Sequence, residues 1–159
     1  MKILLAIDES EFSQAAVQSV ISQIRSKGAE VQVLHVVEPV SVHMSSARLP
    51  NFLRHVAEVE KDRRKQAKLL VERTVRKLRD TGFKASGVVE MGNPKIRIID
   101  LAAEWHADLI VVGSHGWSGL NRFLLGSVSE AVTRHAGCSV QVVRQASRAR
   151  RGASQTSNS

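Results

Sequence analysis

Apolar residues in this chain follow two alternating rhythms, short unbroken runs and helical stripes. Residues 2–7 form a nearly continuous apolar run, the pattern of a strand covered on both faces. Asp8-Glu-Ser10 breaks it, and Ser10 is placed to cap a helix in which Ala16, Val17, Val20, Ile21 and Ile24 share a face and Gly28 marks the end. Residues 31–37 read as a second strand, stopped at Glu38-Pro39 because proline cannot donate to a sheet ladder. Residues 38–51 show no period and are expected to loop over the strand ends. A long helix should follow. Its stripe begins at Phe52, Val56 and Val59 and resumes at Ala67, Leu70, Val71, Val75 and Leu78, with polar residues 60–66 between. Gly82 closes it. Residues 84–90 alternate as a third strand, at a sheet edge, and Asn93-Pro94 opens a helix whose expected inner face is Ile96, Ile99 and Ala103. Residues 107–112 are a fourth strand, Ser127 opens a last helix ended by Gly137, and Ser139–Val143 is a fifth strand.

Strands alternating with helices in this way require parallel strands joined by crossover helices on both faces, a doubly wound α/β domain. In such sheets ligands bind beyond the carboxyl ends of the strands, where the winding reverses direction. Asp8 and Gly113 both lie just past a strand's carboxyl end. They face each other across that crevice only if strands one and four are neighbours.

Behind the fourth strand, Gly113-Ser-His-Gly116 is followed after nine residues by Gly126-Ser127. Strand, glycine loop and helix start arrive in the order a phosphate cradle needs: glycines admit main-chain amides close to an anion, and the helix N-terminus favours negative charge. A side chain at Gly126 is therefore expected to stand where phosphate should lie, leaving the fold intact. Two roles compete for Ser127, because Ser127-x-x-Glu130 also has the form of a capping box. Asp8 could act as a turn residue or meet ribose and magnesium, an ion that takes one protein carboxylate and completes its shell from phosphates and water.

Composition narrows the picture further. The chain of 159 residues, 43% hydrophobic and 24% charged, suits one globular domain that needs no disulfide or metal staple. Cys138 is the single cysteine, so neither an internal disulfide nor a zinc cluster can form, and it reads as a small core residue. The opening apolar run is too short for a signal peptide and no segment reaches membrane-spanning length, so a cytoplasmic protein is expected. Net charge is +8, and the sixteen residues from Arg144 hold four arginines and no acid, so half the excess sits in an extension expected to be disordered. The Lys/Arg-rich residues 61–79, interspersed with acids, read as a solvated helix face, with a partner surface as the alternative.

Together these residues resemble the universal stress protein family, in its ATP-binding branch. The resemblance covers residues 2–143. It rests on Ile-Leu-Leu-Ala-Ile-Asp8, Leu34-His-Val-Val-Glu-Pro39, Gly92-Asn-Pro94, Asp108-Leu-Ile-Val-Val-Gly113-Ser-His-Gly116 and Leu125-Gly-Ser-Val-Ser129. The Arg/Ser-rich residues 144–159 lie outside the family pattern and inherit nothing from it. The resemblance implies five parallel strands in the order 3-2-1-4-5. It implies that Asp8 approaches the ribose and a metal-phosphate group, that the backbone of Val36 pairs with an adenine edge, and that Gly113, Gly116, Gly126, Ser127 and Val128 surround the phosphates. It also implies a homodimer joined through the final strand, Ser139–Val143.

The expected function is thus a nucleotide-responsive binding and regulatory module that takes ATP and magnesium in stress response, with no catalytic residue identified. His115 has no carboxylate in its loop to orient it, Ser118 lies in no Gly-x-Ser-x-Gly elbow, and His35 reads as packed. Arg122 could neutralise phosphate or sit in solvent; Trp117 and Phe123 could cover the loop or pack beneath it. Two alternatives stand beside this reading: a slow ATPase or nucleotidyl or phosphoryl transferase, and a nucleic-acid-associated protein that uses its arginine extension.

Overall fold

In the computed structural model, residues 1–24, 28–40, 50–116 and 125–145 are described. Ser118, Trp117, Arg122, Phe123, residues 41–49 of the predicted loop and the extension beyond residue 145 lie outside them. The elements are β1 (Lys2–Ala6), α1 (Glu11–Gln23), β2 (Glu30–Val37), α2 (Pro50–Asp80), β3 (Lys84–Met91), α3 (Pro94–Glu104), β4 (Leu109–Gly113), α4 (Ser127–His135) and β5 (Ser139–Val143). All strand pairs are parallel, in the order β3-β2-β1-β4-β5. The arrangement implied by the resemblance therefore holds, and β1 and β4 are neighbours.

Alternation along β1 builds a core on each side of the sheet, because successive side chains point to opposite faces. Ile3 and Leu5 join Val31, Val33 and Val111 beneath α1 and α2, where Ala16, Val17, Val20, Val71, Val75 and Leu78 are buried. Leu4 points the other way, joining Leu34, Ile110 and Val112 against Ile98 and Ala102 of α3 and Val132 of α4. At Gly87 the backbone of β3 lies directly under α2: a Cβ there would overlap Val71 Cγ1, so glycine sets how closely this helix seats on the sheet edge.

Ser10 caps α1 as expected, its hydroxyl accepting from the Ser13 amide at 3.2 Å, and Asn93 caps α3, accepting from the Lys95 amide at 2.9 Å. The inner face of α3 differs from expectation. Ile98 and Ala102 are buried, Ile99 is half-buried, Ile96 is 55% exposed and Ala103 is exposed. Apolar residues at 96, 98, 99, 101, 102 and 103 support two stripes of helical period, and the seating of α3 against α4 and the sheet selects one.

Helix α2 runs for 31 residues, about 46 Å at 1.5 Å per residue. Its buried positions begin at Ala67, so the turns before it overhang the carboxyl ends of the strands. That overhang positions part of the site.

Candidate functional site

The carboxyl ends of β1, β2 and β4, the starts of α3 and α4 and the overhanging turns of α2 enclose one cavity of about 1150 Å³. It lies at the switch point, where crossovers to opposite faces of the sheet leave a gap between loops. Asp8, Val36, Gly113, Gly116, Gly126, Ser127 and Val128 all line it. The tertiary fold therefore brings every residue of the predicted site to one place.

Asp8 follows β1 and is held by the start of α1. Its Oδ1 accepts from the Ser10 amide at 3.0 Å, the Ser10 hydroxyl at 2.5 Å and the Ser13 hydroxyl at 2.6 Å, while its own amide donates to Ser13 Oγ at 2.8 Å. Ser10 and Ser13 are 6% and 5% exposed, so this carboxylate anchors a buried turn. Oδ2 lies against Gly116, where a Cβ would stand 2.9 Å from it. Among the described residues no three His, Cys, Asp or Glu side chains gather to hold a metal alone. A magnesium ion would take most of its ligands from phosphates and water, as its chemistry allows.

The backbone of Val36 faces the cavity for a reason that lies in strand register. The Leu34 carbonyl accepts from the Ile7 amide at 2.9 Å, so Leu34 points its peptide groups toward β1, and the Val37 carbonyl accepts from Gly92 at 3.1 Å on the β3 side. Residues two apart on a strand point their N–H and C=O the same way. Val36 therefore aims both groups past the end of β1, where no strand among the described residues takes them up.

The three loop glycines act through missing side chains rather than turn conformation, since positive φ occurs at Gly28, Gly82 and Gly92 instead. A Cβ at Gly113 would lie 2.8 Å from the Phe12 carbonyl carbon at the start of α1. At Gly126 it would lie 3.1 Å from His115 Cα and 3.2 Å from the Ser114 carbonyl oxygen. The expectation that a side chain at Gly126 would enter the phosphate position with the fold intact is thus corrected: it would push against the preceding loop. The Gly126 amide is also committed, donating to the Ser114 carbonyl at 2.8 Å.

Nor does Ser127 form a capping box. Gly126 is the cap of α4, without a side-chain capping bond, and Glu130 pairs with Arg134 at 3.2 Å instead of reaching back. Ser127 occupies the first helical position, one residue too late to cap. Ser129 takes the local role, its hydroxyl donating to the carbonyls of Ser114 at 3.0 Å and Gly126 at 2.9 Å. The exposed Ser127 hydroxyl is left facing the cavity, and the amides of the first turn have no intrahelical acceptors.

Several cavity residues were not singled out by sequence reasoning. Val59, Asp62, Arg63 and Gln66 of α2 form a wall that sequence separation hid. His35, expected to be packed, lines the cavity and is fixed by its Nδ1 at 2.9 Å from the Ile7 carbonyl, so Nδ1 carries the proton. His115 also lines it, its ring 5.1 Å from that of Phe12 and its Nδ1 3.1 Å from Ser114 Oγ, a hydroxyl rather than a carboxylate. Cys138 lies outside the site; burial pushes its thiol up, and the negative charge of Asp108 adds to the shift.

Known proteins share both the pattern and the fold. The model of the Universal stress protein family matches residues 1–144, ending where the arginine-rich extension begins. The universal stress protein YxiE of Bacillus subtilis is 33% identical over 147 residues, covering 90% of this chain and 98% of that one. The solved structure of MJ0577, a universal stress protein of Methanocaldococcus jannaschii, superposes with a TM-score of 0.79 at 31% identity, covering 92% of this chain and 96% of that one. A universal stress family protein from Arabidopsis thaliana, solved with AMP bound, has the same fold at 21% identity and a TM-score of 0.63, covering 92% of this chain and 93% of its own. A family pattern that runs through all five strands, and relatives matched almost end to end, place this chain in the universal stress protein family.

Proposed function

We propose that the protein binds an adenine nucleotide, ATP with magnesium, in the switch-point cavity and works as a regulatory binding module rather than as an enzyme. One observation carries the reading: the open first turn of α4 and the cavity-facing backbone of Val36 line the same cavity, one suited to phosphates and the other to a base edge. The amide and hydroxyl of Ser127 and the amide of Val128 hold phosphate. Gly113, Gly116 and Gly126 let the surrounding loops close tightly enough to shape the cradle. Asp8 meets the ribose and the metal, and Val36 pairs with adenine. The AMP complex of the Arabidopsis relative supports an adenine nucleotide as the ligand.

The homodimer belongs to the same proposal. β5 lies at the sheet edge beside β4, and an edge strand offers a row of peptide groups to a second copy. Residues 1–143 form the nucleotide-binding domain, and the cytoplasm, where ATP and magnesium are plentiful, is its place of action.

Isothermal titration of nucleotide-free protein with AMP, ADP and ATP, each with and without magnesium, tests the proposal. Saturable binding, tightest for Mg-ATP, is expected. Absence of binding at millimolar concentrations of all three overturns it.

A further inference from the structure

Helix α2 carries a second feature, independent of the cavity. Residues 61–79 hold nine lysines and arginines against two acids, Asp62 and Glu72. A solvated face offsets its charges with partners one turn away, as Arg54 does with Glu58 at 3.5 Å and Arg134 with Glu130 at 3.2 Å. Among the described residues the ion pairs lie elsewhere, so none of these nine cations has a carboxylate partner. The face is solvent-exposed as expected, and its cations carry no ion-pair partner among the described residues.

Helical spacing sorts the charges. Lys61, Lys65, Lys68, Arg76 and Arg79 fall at i, i+4, i+7, i+15 and i+18, in one row with Glu72, and all are exposed. The cavity-lining Val59, Asp62, Arg63 and Gln66 lie roughly 130° away around the axis at 3.6 residues per turn. Asp62 is thus turned from the row, leaving Glu72 as its only acid. Arg79 is fixed by its Nε, which donates to the Ala85 carbonyl at 2.9 Å. From Lys61 to Arg79 the row extends about 27 Å, the axial length of roughly eight base pairs at 3.4 Å each.

We propose that this row of α2 is a docking surface for the phosphodiester backbone of double-stranded nucleic acid, bound without base readout. A protein partner would need an apolar centre, and the row presents charge with Leu69 alone, 37% exposed, at its flank. A membrane would call for several apolar side chains to insert beside the row, but along residues 61–79 those of α2 are buried at Ala67, Val71, Val75 and Leu78, Leu69 excepted, and the exposed Leu53 lies about two turns before the row. A linear array of phosphates matches a straight row of cations, interrupted once at Glu72, and asks for nothing else.

The test is fluorescence anisotropy with a labelled 24-base-pair duplex between 50 and 200 mM KCl. Binding is expected at low salt, and Lys65→Gln with Lys68→Gln should reduce the log–log salt slope by about 1.8, at about 0.9 for each phosphate no longer neutralised. Arg73→Gln with Lys77→Gln removes the same charge from another side of the helix and should leave the slope unchanged. Equal losses in both variants, loss on truncation after Gln145 instead, or binding to anionic vesicles but not duplex would each overturn the proposal, as would no binding at 50 mM KCl. Circular dichroism and nucleotide titration, neither of which involves these exposed lysines, separate misfolding from loss of docking.

Discussion

Replacing Asp8 separates what this carboxylate does for the fold from what it does for a ligand. Oδ1 accepts three hydrogen bonds, from the Ser10 amide and the Ser10 and Ser13 hydroxyls, and the last two belong to buried residues. At about 0.5–1.5 kcal/mol net for each, Asp8→Ala should cost roughly 1.5–4.5 kcal/mol, the lower end applying where water from the adjoining cavity replaces the lost acceptor. Asp8→Asn keeps an oxygen facing the serines and places an amide nitrogen toward Gly116, so on the serine side charge assistance and the attraction to the α1 dipole are what is lost. That change should cost about 1 kcal/mol. With a urea dependence of about 2 kcal/mol per molar, the midpoint should fall by about 0.5 M for Asn and by roughly three to four and a half times as much for Ala in the upper half of the range. Titration of the Asn variant should show Mg-ATP affinity reduced by tenfold or more and AMP affinity changed much less, since the metal is what a neutral amide fails to hold. Equal midpoint losses for Asn and Ala would refute the hydrogen-bond argument. Wild-type affinity for Mg-ATP in the Asn variant would remove Asp8 from the site.

Two further predictions concern Gly126 and Cys138. Gly126→Ala should destabilise the protein by about 1–3 kcal/mol, because the atoms a Cβ meets at 3.1 and 3.2 Å are backbone and cannot rotate away; an unchanged thermal midpoint would show that the loop yields to the added methyl group at no cost. Cys138 should alkylate more slowly than free cysteine at pH 8, since burial and Asp108 raise its pKa and a raised pKa means less thiolate at any pH below it. Iodoacetamide kinetics followed by mass spectrometry would read this, and a rate equal to that of free cysteine would contradict it.

The sheet was legible because its strands declare themselves locally. Residues 3–7 and 109–112 are apolar on both faces, Pro39 and Gly82 punctuate the chain, and Ser10 and Asn93 cap helices by hydrogen bonds that span two or three residues. The departures share a cause. Ser127-x-x-Glu130 satisfies the capping pattern, yet the Gly126 amide is drawn to Ser114, twelve residues earlier, and this pairing leaves Ser127 inside the helix, one position past the cap. On α3 two stripes were available, and packing against distant elements chose between them.

The cavity divides along the same line. From its sequence alone the chain determined an alternating α/β order, the glycine spacing behind the fourth strand and an acid at the end of the first, since each depends on neighbouring residues and their conformational preferences. Only the tertiary structure decided that Gly113, Gly116 and Gly126 are small for the sake of Phe12, Asp8 and the Ser114–His115 backbone, and that Val59, Asp62, Arg63 and Gln66 close the cavity. The rotation of a helix about its axis and the overlap of two loops are set by surfaces far apart in the chain, which meet only once the sheet has formed.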